Sequence, residues 1–366
     1  MRRFGAETHD DPAGGDDTIA RGFRAAVAEA VRFVGATAPN PPVGCAILDA
    51  DGRILSVAAH QRAGEPHAEA LALRLCVEAG QIDRAATAIV TLEPCNHTGR
   101  TGPCTEAILA SPIRTVWIGA SDPNPRVTGG GGERLRAAGL RVGNLSPDSE
   151  LGRDCAALIA PFTLFSRGGR PWITVKQALD ATGSMVPPMG ARTFTGPDAL
   201  HLAHRLRRAT DAIITGMGTI LADRPHLTVR HVPDHPGRRR ILAVPDRRGE
   251  LPDAYRREAE SRGFLLRTAP DLPSLLQALT REGVLWALVE GGPRLLAVIE
   301  QDGLWDDWLT IRQDASGRDA LAVRTRHDTS PLRLIDGIVG ADFTTVPLAT
   351  PAMPAAMKGH ACFPAS

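Results

Sequence analysis

The chain has 366 residues, of which 43% are hydrophobic and 23% are charged, a size and composition that predict a globular protein of two domains. Its net charge of +1 and aromatic content of 4% argue against binding to bulk nucleic acid, and six cysteines are too few for a disulfide-rich secreted scaffold. No apolar run reaches the roughly 20 residues that span a bilayer and no apolar signal segment follows the first methionine, so we expect a cytoplasmic protein without a membrane partner.

Residues 18–148 alternate between predicted helices and strands, after a tail over residues 1–17 that is expected to be disordered. Apolar residues recur at helical spacing from Thr18, and prolines at positions 39, 41 and 42 end that helix. Asp51-Gly52, between two short apolar runs, predicts a β-hairpin. The alternation that follows is typical of an α/β domain. Its predicted elements are a helix from His67 to about Ala79, a strand over residues 88–92, a helix over 105–110, a strand over 115–119 and, after a glycine loop at 129–132, a helix over 133–138.

A helix over residues 150–165 and a basic turn at residues 167–171 are expected to link this domain to a second one, so we place the linker at residues 149–171 and the second domain at 172–366. The predicted elements of the second domain are strands over residues 172–178, 212–215, 240–244 and 285–289 and a helix over residues 197–208. From Arg326 onward the chain is rich in Pro, Ala and Thr with little periodicity, so the last 40 or so residues are an atypical part of this domain.

Three short motifs of the first domain predict a catalytic zinc site: His67-Ala68-Glu69, Pro94-Cys95 and Pro103-Cys104. Zn²⁺ binds imidazole nitrogen and thiolate sulfur, and catalytic sites keep three protein ligands and one open position for water. We therefore expect the ligands to be His67, Cys95 and Cys104. The metal lowers the pKa of its bound water to about 7, and Glu69 is close enough in sequence to move a proton between that water and a leaving ammonia. This combination is typical of zinc deaminases that act on nucleobase-like rings.

The loop between the two cysteines departs from the usual deaminase pattern. Eight residues separate Cys95 from Cys104, whereas most zinc deaminases have Cys-x-x-Cys. The loop carries His97 and Arg100, which we expect to contact the substrate, because an arginine with nearby backbone donors suits a phosphate group. Three alternatives stay open. His97 would complete a closed structural zinc site as a fourth ligand, a core histidine beside two buried cysteines would bind no metal, and the motif alone also fits a nucleotide or tRNA deaminase.

Four motifs of this domain resemble those of one family, the bifunctional deaminase/reductase of riboflavin biosynthesis. They are Thr-Ala-Pro-Asn-Pro-Pro-Val-Gly at residues 37–44, Pro-His-Ala-Glu at 66–69, the segment at 91–104 with its long cysteine loop, and Asp-Pro-Asn-Pro at 122–125. The resemblance extends from about Thr18 to about Trp308. It implies an α/β fold with a cytidine-deaminase-like three-layer N-terminal domain and a dihydrofolate-reductase-like C-terminal domain.

The resemblance implies two successive reactions on a small phosphorylated pyrimidine, in a protein that is typically a homo-oligomer. The first is the zinc-dependent hydrolytic deamination of 2,5-diamino-6-ribosylamino-4(3H)-pyrimidinone 5′-phosphate, and the second is the NADPH-dependent reduction of the ribosyl group to ribityl. The resemblance also implies that Asn40 contacts the pyrimidine ring, although an asparagine between prolines is equally explained by turn formation.

The second domain carries weaker motifs. Residues 289–293, Val-Glu-Gly-Gly-Pro, are a strand end followed by two glycines, a pattern that lets backbone N–H groups approach a phosphate but is also common in tight turns. Residues 174–178, 215–219 and 222–230 resemble reductase motifs of the same family. The resemblance assigns Lys176, Ala178, Thr219, Asp223 and Gly292 to NADPH, and Arg207, Leu227, Arg230 and Glu290 to the phosphorylated ribosyl group.

Several reductase motifs differ from the family pattern. Asp180-Ala181-Thr182-Gly183 replaces Ser-Leu-Asp-Gly, Thr193-Phe194-Thr195-Gly196 replaces Trp-Ile-Thr-Gly, and Asp223-Arg224-Pro225 replaces Asp-Asp-Pro. An expected strand with a proline and a closing glycine is replaced by residues 309–314. One alternative is therefore an active deaminase whose degenerate reductase domain serves structure or oligomerisation, and an alternative of another class is a zinc-stabilised binding module without catalysis.

Overall fold

The computed structural model describes residues 17–96, 102–123, 130–187, 189–190, 193–338 and 341–346. The chain divides between Arg167 and Gly168 into two compact units. This division falls inside the residues expected to link two domains, while residues 1–16 of the predicted disordered tail lie outside the described residues. Within the described residues, no helix is long and apolar enough to cross a membrane.

The first unit is built around a five-stranded sheet. Its elements in chain order are α1 (Asp17–Val31), β1 (Gly44–Asp49), β2 (Ile54–Ala59), α2 (Ala68–Glu78), β3 (Ala85–Val90), α3 (Cys104–Leu109), β4 (Thr115–Ile118), α4 (Gly131–Ala137), β5 (Arg141–Asn144) and α5 (Glu150–Gly168). The strand order is β2-β1-β3-β4-β5. Strand β1 is antiparallel to β2 and β3, whereas β3, β4 and β5 run parallel to one another.

Helices cover both faces of this sheet, so the unit has three layers. On one face, apolar side chains of α2, α3 and α4 pack against alternate residues of β1 such as Cys45 and Ile47. Helix α1 packs on the other face, where a Cβ atom added to Gly22 would lie 2.2 Å from Cδ1 of Ile89. A Cβ atom on Gly44 would lie 2.0 Å from the backbone carbonyl oxygen of Ala26, so glycine is required at this contact between α1 and β1.

The predicted hairpin and alternating elements of this unit are present, with two differences. The predicted glycine loop is wrong for Gly131 and Gly132, which form the first turn of α4. Gly131 fits there because an added Cβ would lie 2.0 Å from the carbonyl oxygen of Pro94, so a close approach rather than a loop requires glycine. Strand β5 was not predicted because its four residues, Arg-Val-Gly-Asn, include a single apolar side chain.

The second unit is built around an eight-stranded sheet with the order β13-β12-β11-β6-β10-β7-β8-β9. Strands β6 to β11 are parallel to their neighbours, β12 is antiparallel to β11, and β13 is parallel to β12. The elements in chain order are β6 (Trp172–Leu179), α6 (Pro197–Ala209), β7 (Ala212–Ile214), α7 (Met217–Asp223), β8 (Ile241–Pro245), α8 (Asp253–Ser261), β9 (Leu265–Ala269), α9 (Leu272–Arg281), β10 (Trp286–Val289), α10 (Pro293–Gln301), β11 (Asp307–Gln313), β12 (Asp319–Thr325) and β13 (Asp342–Thr345).

The four predicted strands of this unit are its central parallel strands, whose buried apolar runs are visible in the sequence. The elements that were not predicted lie mostly at its periphery. Helix α8 buries only Tyr255 and Ala259, and β12 buries only Val323 and Thr325, near its end. Residues 309–314, which depart from the family pattern, still belong largely to a strand, β11, because their neighbours in β6 and β12 supply its hydrogen-bonding partners.

Candidate functional sites

Three side chains from different elements meet at one point of the first unit. His67 is the N-cap residue of α2, Cys95 follows β3, and Cys104 is the first residue of α3. The Nδ1 atom of His67 lies 3.5 Å from Sγ of Cys95 and 3.3 Å from Sγ of Cys104. Bonds of about 2.0 Å to nitrogen and about 2.3 Å to sulfur place tetrahedral zinc ligands about 3.5 Å apart. The nitrogen–sulfur donor set and its spacing therefore fit zinc, and within the described residues this is the group of side chains arranged to hold a metal.

The two sulfur atoms are not equivalent in the absence of a metal. The Cys104 thiol donates a hydrogen bond to Cys95, and this bond lowers the pKa of Cys95 to about 4. The backbone N–H of Cys104 also donates to Cys95 Sγ at 3.4 Å. The hydrogen bond with Cys95 in turn raises the pKa of His67. A thiolate is thus already favoured at Cys95, which is the form in which cysteine binds zinc.

Glu69 lies beside this ligand set, in the first turn of α2, and is only 3% exposed. Burial raises the pKa of its carboxyl group, while the nearby His67 lowers it. Cys104 also interacts with the carboxyl by a side-chain hydrogen bond. A buried carboxyl with a raised pKa that faces the ligand set is suited to take up and release a proton there.

Asn40 is held by a histidine that sequence reasoning missed. His60 is buried, and its Nδ1 lies 3.1 Å from the carbonyl oxygen of Pro66 while its Nε2 lies 3.1 Å from Nδ2 of Asn40. If Nδ1 donates to Pro66, Nε2 accepts from Asn40, which leaves the Asn40 carbonyl oxygen free for a ligand. Burial lowers the pKa of His60, which favours this neutral state. A polar residue directly after the apolar strand β2 was the available sequence signal.

A second missed residue, Glu93, supports the turn that carries Cys95. Its carboxylate accepts from the backbone N–H of Gly132 at 2.9 Å and of Asp122 at 3.3 Å. The turn before Cys95 is thereby joined to two later segments of the chain.

His97 and Arg100, the two predicted substrate contacts of the cysteine loop, lie outside the described residues.

In the second unit, three predicted site residues form one ionic cluster. The Glu290 carboxylate accepts from Nε and Nη2 of Arg207 at 2.5 and 2.9 Å and pairs with Nζ of Lys176 at 3.2 Å. Burial would raise the pKa of Glu290, but the charges of Arg207 and Lys176 outweigh burial and hold it well below its usual range. Glu290 follows β10 and Lys176 lies on the adjacent parallel strand β6, so the cluster is at the carboxyl edge of the sheet, where ligands of open α/β sheets bind.

The segment after α7 contains two residues with left-handed backbone conformations. Arg224 has φ 42° and Leu227 has φ 56°. The Leu227 side chain is buried in an apolar cluster with Leu242 and Tyr255, so only its backbone is available to a ligand. Arg230, by contrast, is exposed, and so is Asp223 at the end of α7.

Two of the predicted cofactor contacts touch each other. The backbone N–H of Gly292, the N-cap residue of α10, donates to Thr219 Oγ1 at 3.0 Å. The start of helix α7, which follows β7, and the turn after β10 are therefore adjacent. Nearby, the buried Thr215 Oγ1 has no hydrogen-bond partner among the described residues. Ala178 lies two residues after Lys176 on β6 and hence on the same face of the sheet.

The segments that differ from the family pattern are held by side-chain hydrogen bonds. Oδ1 of Asp180 accepts from the backbone N–H of Thr182 and Ser184 at 2.9 and 2.8 Å, so Asp180 acts as a turn residue. The carbonyl oxygen of Phe194 accepts from Gln313, and the N–H of Gly196 donates to Asp319 at 2.7 Å. Residues 194 and 196 are thus held by side chains of β11 and β12.

Comparisons with known proteins agree with this two-unit arrangement. The family model described as "Cytidine and deoxycytidylate deaminase zinc-binding region" matches residues 17–120, and that described as "RibD C-terminal domain" matches residues 171–311. The chain is 37% identical over 314 residues to riboflavin biosynthesis protein RibD of Corynebacterium ammoniagenes, which covers 83% of this chain and 89% of the relative. It is 34% identical over 305 residues to the RibD protein of Aquifex aeolicus (strain VF5), which covers 78% of this chain and 83% of the relative. The solved structure of a deaminase/reductase from Thermotoga maritima has a TM-score of 0.71 and 28% identity, and it covers 82% of this chain and 89% of that one.

Proposed function

The chain belongs to the RibD family of riboflavin-biosynthesis enzymes, and on this premise we propose which residues carry each of its two reactions. The predicted family, the α/β fold with a cytidine-deaminase-like domain and a reductase domain, and the cofactors zinc and NADPH are confirmed. The chain is a bifunctional deaminase and reductase. The alternatives of a degenerate reductase domain and of a zinc-stabilised binding module without catalysis are not favoured.

The first unit is proposed to deaminate 2,5-diamino-6-ribosylamino-4(3H)-pyrimidinone 5′-phosphate. His67, Cys95 and Cys104 would hold zinc, which when bound supplies an activated water. Glu69 would take a proton from the attacking water and deliver it to the leaving amino group, so that water is consumed, ammonia leaves and a ring carbonyl is formed. Asn40, oriented by His60, would hold the pyrimidine through its free carbonyl oxygen.

One observation carries this assignment: Nδ1 of His67 lies 3.5 and 3.3 Å from two cysteine sulfur atoms, with the buried carboxyl of Glu69 from the first turn of the same helix beside them. A closed structural site would need a fourth protein ligand. Within the described residues the group consists of His67, Cys95 and Cys104. His97, the fourth ligand that a closed site would use, lies outside the described residues.

The second unit is proposed to reduce the ribosyl group of the deaminated product to ribityl. The reaction takes a hydride from NADPH and a proton from solvent or an acid, and it releases NADP⁺. We propose that Arg207, Leu227, Arg230 and Glu290 form the substrate side of the site and that Lys176, Ala178, Thr219, Asp223 and Gly292 form the NADPH side. The meeting of the turns after β7 and β10 at the Thr219–Gly292 hydrogen bond supports a cofactor position at this edge of the sheet.

Substrate contacts by His97 and Arg100, a cytoplasmic location and a homo-oligomeric state stay predictions. The oligomeric state is tested by light scattering of the purified protein. His97→Ala and Arg100→Ala are expected to raise the KM for deamination, since both residues belong to the loop between two zinc ligands.

The proposed function is tested by incubating the purified, zinc-loaded protein with the phosphorylated diaminopyrimidine and NADPH. Ammonia release and NADPH absorbance are followed separately. We expect Glu69→Gln to lower ammonia release by at least about 100-fold, because general acid–base catalysis contributes roughly that much, while the zinc content stays unchanged. The variant should still oxidise NADPH when it is given deaminated substrate.

Glu78→Gln is the matched control, because Glu78 ends the same helix and its side chain is 60% exposed. This variant should release ammonia at the wild-type rate. Wild-type protein that releases no ammonia would contradict the deaminase assignment, and wild-type protein that oxidises no NADPH with deaminated substrate would contradict the reductase assignment.

A further inference from the structure

One face of helix α6 makes three successive contacts with the segment at residues 228–231. His201, His204 and Arg207 are spaced three residues apart and hence share this face. Arg207 Nη1 donates to the carbonyl oxygen of Thr228 at 3.2 Å, and the backbone N–H of Arg230 donates to His204 Nδ1 at 3.0 Å. The rings of His201 and His204 both meet the ring of the next residue, His231, edge to face.

His204 is the central member of these contacts, and its chemistry is fixed by its surroundings. The side chain is fully buried, and its Nδ1 accepts a hydrogen bond from a backbone amide, so the ring proton is on Nε2. Nε2 has no hydrogen-bond partner among the described residues, but the His231 ring lies 4.6 Å away, centroid to centroid, at 68°. Burial and the charge of Arg207 lower the pKa of His204 to about 4, which keeps the ring neutral at neutral pH.

The other end of the same segment is held by helix α8. Tyr255 donates from its hydroxyl to the carbonyl oxygen of Pro225 at 2.7 Å, and Arg224 pairs with Glu258. Arg224, at the α8 anchor, and Leu227, between the two anchors, have positive φ angles, which non-glycine residues adopt only when neighbouring contacts hold them. Residues 224–231, which we call the strap, are therefore held between α8 and α6 at both ends rather than forming a free loop.

Among the described residues, Arg230 has no salt-bridge partner, and its Nη1 donates to the neighbouring Thr228 Oγ1 at 3.5 Å. Arg207 donates to both oxygens of Glu290 and to Thr228, so its guanidinium is largely occupied within the protein. Arg230 is exposed and lies in the positive field of Arg207 and Arg262, which together with partial burial lowers its pKa. An anionic group placed beside Arg230 would relieve this repulsion.

We propose that His204 is a positioning residue, which holds the backbone of Arg230 so that its guanidinium binds the phosphate group of the reductase substrate. This inference rests on the proposed reductase function. The two arginines then have different roles. Arg207 holds Glu290 and the strap in place, and Arg230 contacts the phosphate. His204 acts through Arg230 and touches neither the substrate nor NADPH.

The test compares three variants by steady-state kinetics of NADPH oxidation with 5-amino-6-(5-phosphoribosylamino)uracil. His204→Leu removes the acceptor, and we expect its KM for this substrate to rise about tenfold with kcat within about twofold of wild type. His204→Asn places an amide oxygen near the position of Nδ1 and should restore most of the KM. Arg205→Gln, on another face of α6, is the matched control and should leave both constants unchanged.

A double-mutant cycle with Arg230→Ala shows whether His204 acts through Arg230. In the Arg230→Ala background, His204→Leu is expected to raise KM no further, because the group that it positions is already gone. Additive effects of the two substitutions would overturn the proposal. So would a His204→Leu variant with wild-type KM, or one that loses kcat alone.

Two further readouts separate this inference from its premise and from misfolding. Ammonia release by the first unit of the same polypeptide should be unchanged in every variant. If wild-type protein oxidises no NADPH, the proposed reductase function is wrong. If wild-type protein is active and the KM of the His204 variants is unchanged, only the proposed role of His204 is wrong. If His204→Leu does not fold, the comparison of His204→Asn with His204→Gln decides, because a glutamine amide reaches the position of Nε2 and should not restore KM.

Discussion

Two glutamates among the described residues, Glu69 and Glu290, are almost fully buried, and their surroundings shift their pKa values in opposite directions. Burial raises the pKa of Glu69, whose neighbours are the zinc ligands. At Glu290, burial acts in the same direction, but Arg207 and Lys176 outweigh it and lower the pKa. Glu290 therefore stays an anion that fixes two cations in place, whereas Glu69 exchanges a proton readily, as its proposed role requires.

Replacing Glu290 should destabilise the second unit strongly. Glu290→Gln leaves the charges of Arg207 and Lys176, with side chains only 12% and 19% exposed, without their partner. Breaking a buried ion pair in this way costs about 3–5 kcal/mol, so we expect a loss of that order in the free energy of unfolding, measured by urea titration. NADPH oxidation should be lost while ammonia release persists.

Glu282→Gln is the control for this substitution. Its carboxylate pairs with Arg267 at 2.5 Å in a similar fork, but the side chains are 30% and 39% exposed. Solvent screening limits such a pair to about 1 kcal/mol or less. Equal losses of stability in the two variants would show that burial does not determine the strength of the Glu290 cluster.

The predicted site residues that the structure brings together in the first unit are those whose pattern is encoded over short distances. His67 and Glu69 are two positions apart, and each cysteine follows a proline at the end or start of an element, so the pattern can be recognised locally. His60 and Glu93 were missed because their roles depend on contacts with residues 20 to 39 positions away. The same limit explains why Arg207 is identified by family resemblance but not as a partner of Glu290, which lies 83 positions further along the chain.

At the scale of elements, strands β6 and β11 are fastened together at their first residues by two adjacent aspartates. Asp306 accepts two hydrogen bonds from Arg170 at 2.7 Å and one from the backbone N–H of Ile173 at 2.8 Å. Asp307 accepts from Trp172 Nε1 at 2.9 Å and from Ser330 at 2.8 Å. Asp306 has a full cationic partner, but Asp307 has only neutral donors, and its Oδ1 has no hydrogen-bond partner among the described residues.

This difference makes Asp307 a source of pH-dependent stability. Burial raises the pKa of Asp307 to about 6 in the folded protein, above its value in the unfolded chain, so folding favours the protonated form. The contribution of Asp307 to the free energy of unfolding is largest below about pH 4. It falls by about 3 kcal/mol in total as the pH rises toward 6. Asp307→Asn cannot ionise, so its stability relative to wild type should increase over this interval, measured by urea titration with tryptophan fluorescence at successive pH values.

Because other carboxylates titrate in the same range, the informative quantity is the difference between Asp307→Asn and wild type at each pH. Arg170 and His327 lower the pKa of Asp306 against the effect of burial, and the charge of Asp306 contributes to the raised pKa of Asp307. A difference in stability that stays constant from pH 4 to pH 7 would contradict the raised pKa of Asp307.

Helix α4 supports the zinc site through a glycine. Gly131 lies against the carbonyl oxygen of Pro94, one residue before Cys95, and an added Cβ would be 2.0 Å from that oxygen. Gly131→Ala should displace the Cys95 turn, lower the affinity for zinc and cost about 1–3 kcal/mol of stability, as overpacking does. Gly132→Ala, where the nearest atoms would be 3.4 Å from the new Cβ, is the control. Zinc content after dialysis against a weak chelator should fall only for Gly131→Ala. Similar losses in both variants would show that the contact with Pro94 is not the cause, since alanine has the higher helix propensity and would not itself weaken the helix.

Elements were predicted where the sequence carries a buried apolar run and missed where it does not. Strands β6, β7, β8 and β10 are central in a sheet that is covered on both faces, and their runs are continuous. Helix α9 was missed although Asp271 is an N-cap whose side chain accepts from Ser274, followed by a proline within the first turn. Short peripheral elements such as β5 and α7 are stabilised by their neighbours rather than by their own residues, so no local pattern predicts them.

At the scale of the whole molecule, each unit has its own apolar core. One core lies between β1, β3 and helices α2 to α4, and the other is formed by β6, β7 and β10 with helices α9 and α10. The three proposed zinc ligands, His67, Cys95 and Cys104, all belong to the first unit. Metal binding should therefore stabilise one unit without a direct contribution to the core of the other, and the two activities of the chain should be separable by metal removal.

Chelation of zinc is expected to lower the unfolding temperature of the first unit and to abolish ammonia release, while NADPH oxidation with deaminated substrate continues. A ligand at 1,000 times its Kd stabilises the folded state by about 4 kcal/mol, so the first unit should lose an amount of that order, visible as a shift of one transition in scanning calorimetry. Added Zn²⁺ should restore both the transition and the ammonia release. Added Mg²⁺ should restore neither, because one imidazole and two thiolates are poor ligands for it. An equal downward shift of every transition, or ammonia release that survives chelation, would show that His67, Cys95 and Cys104 do not hold the catalytic metal.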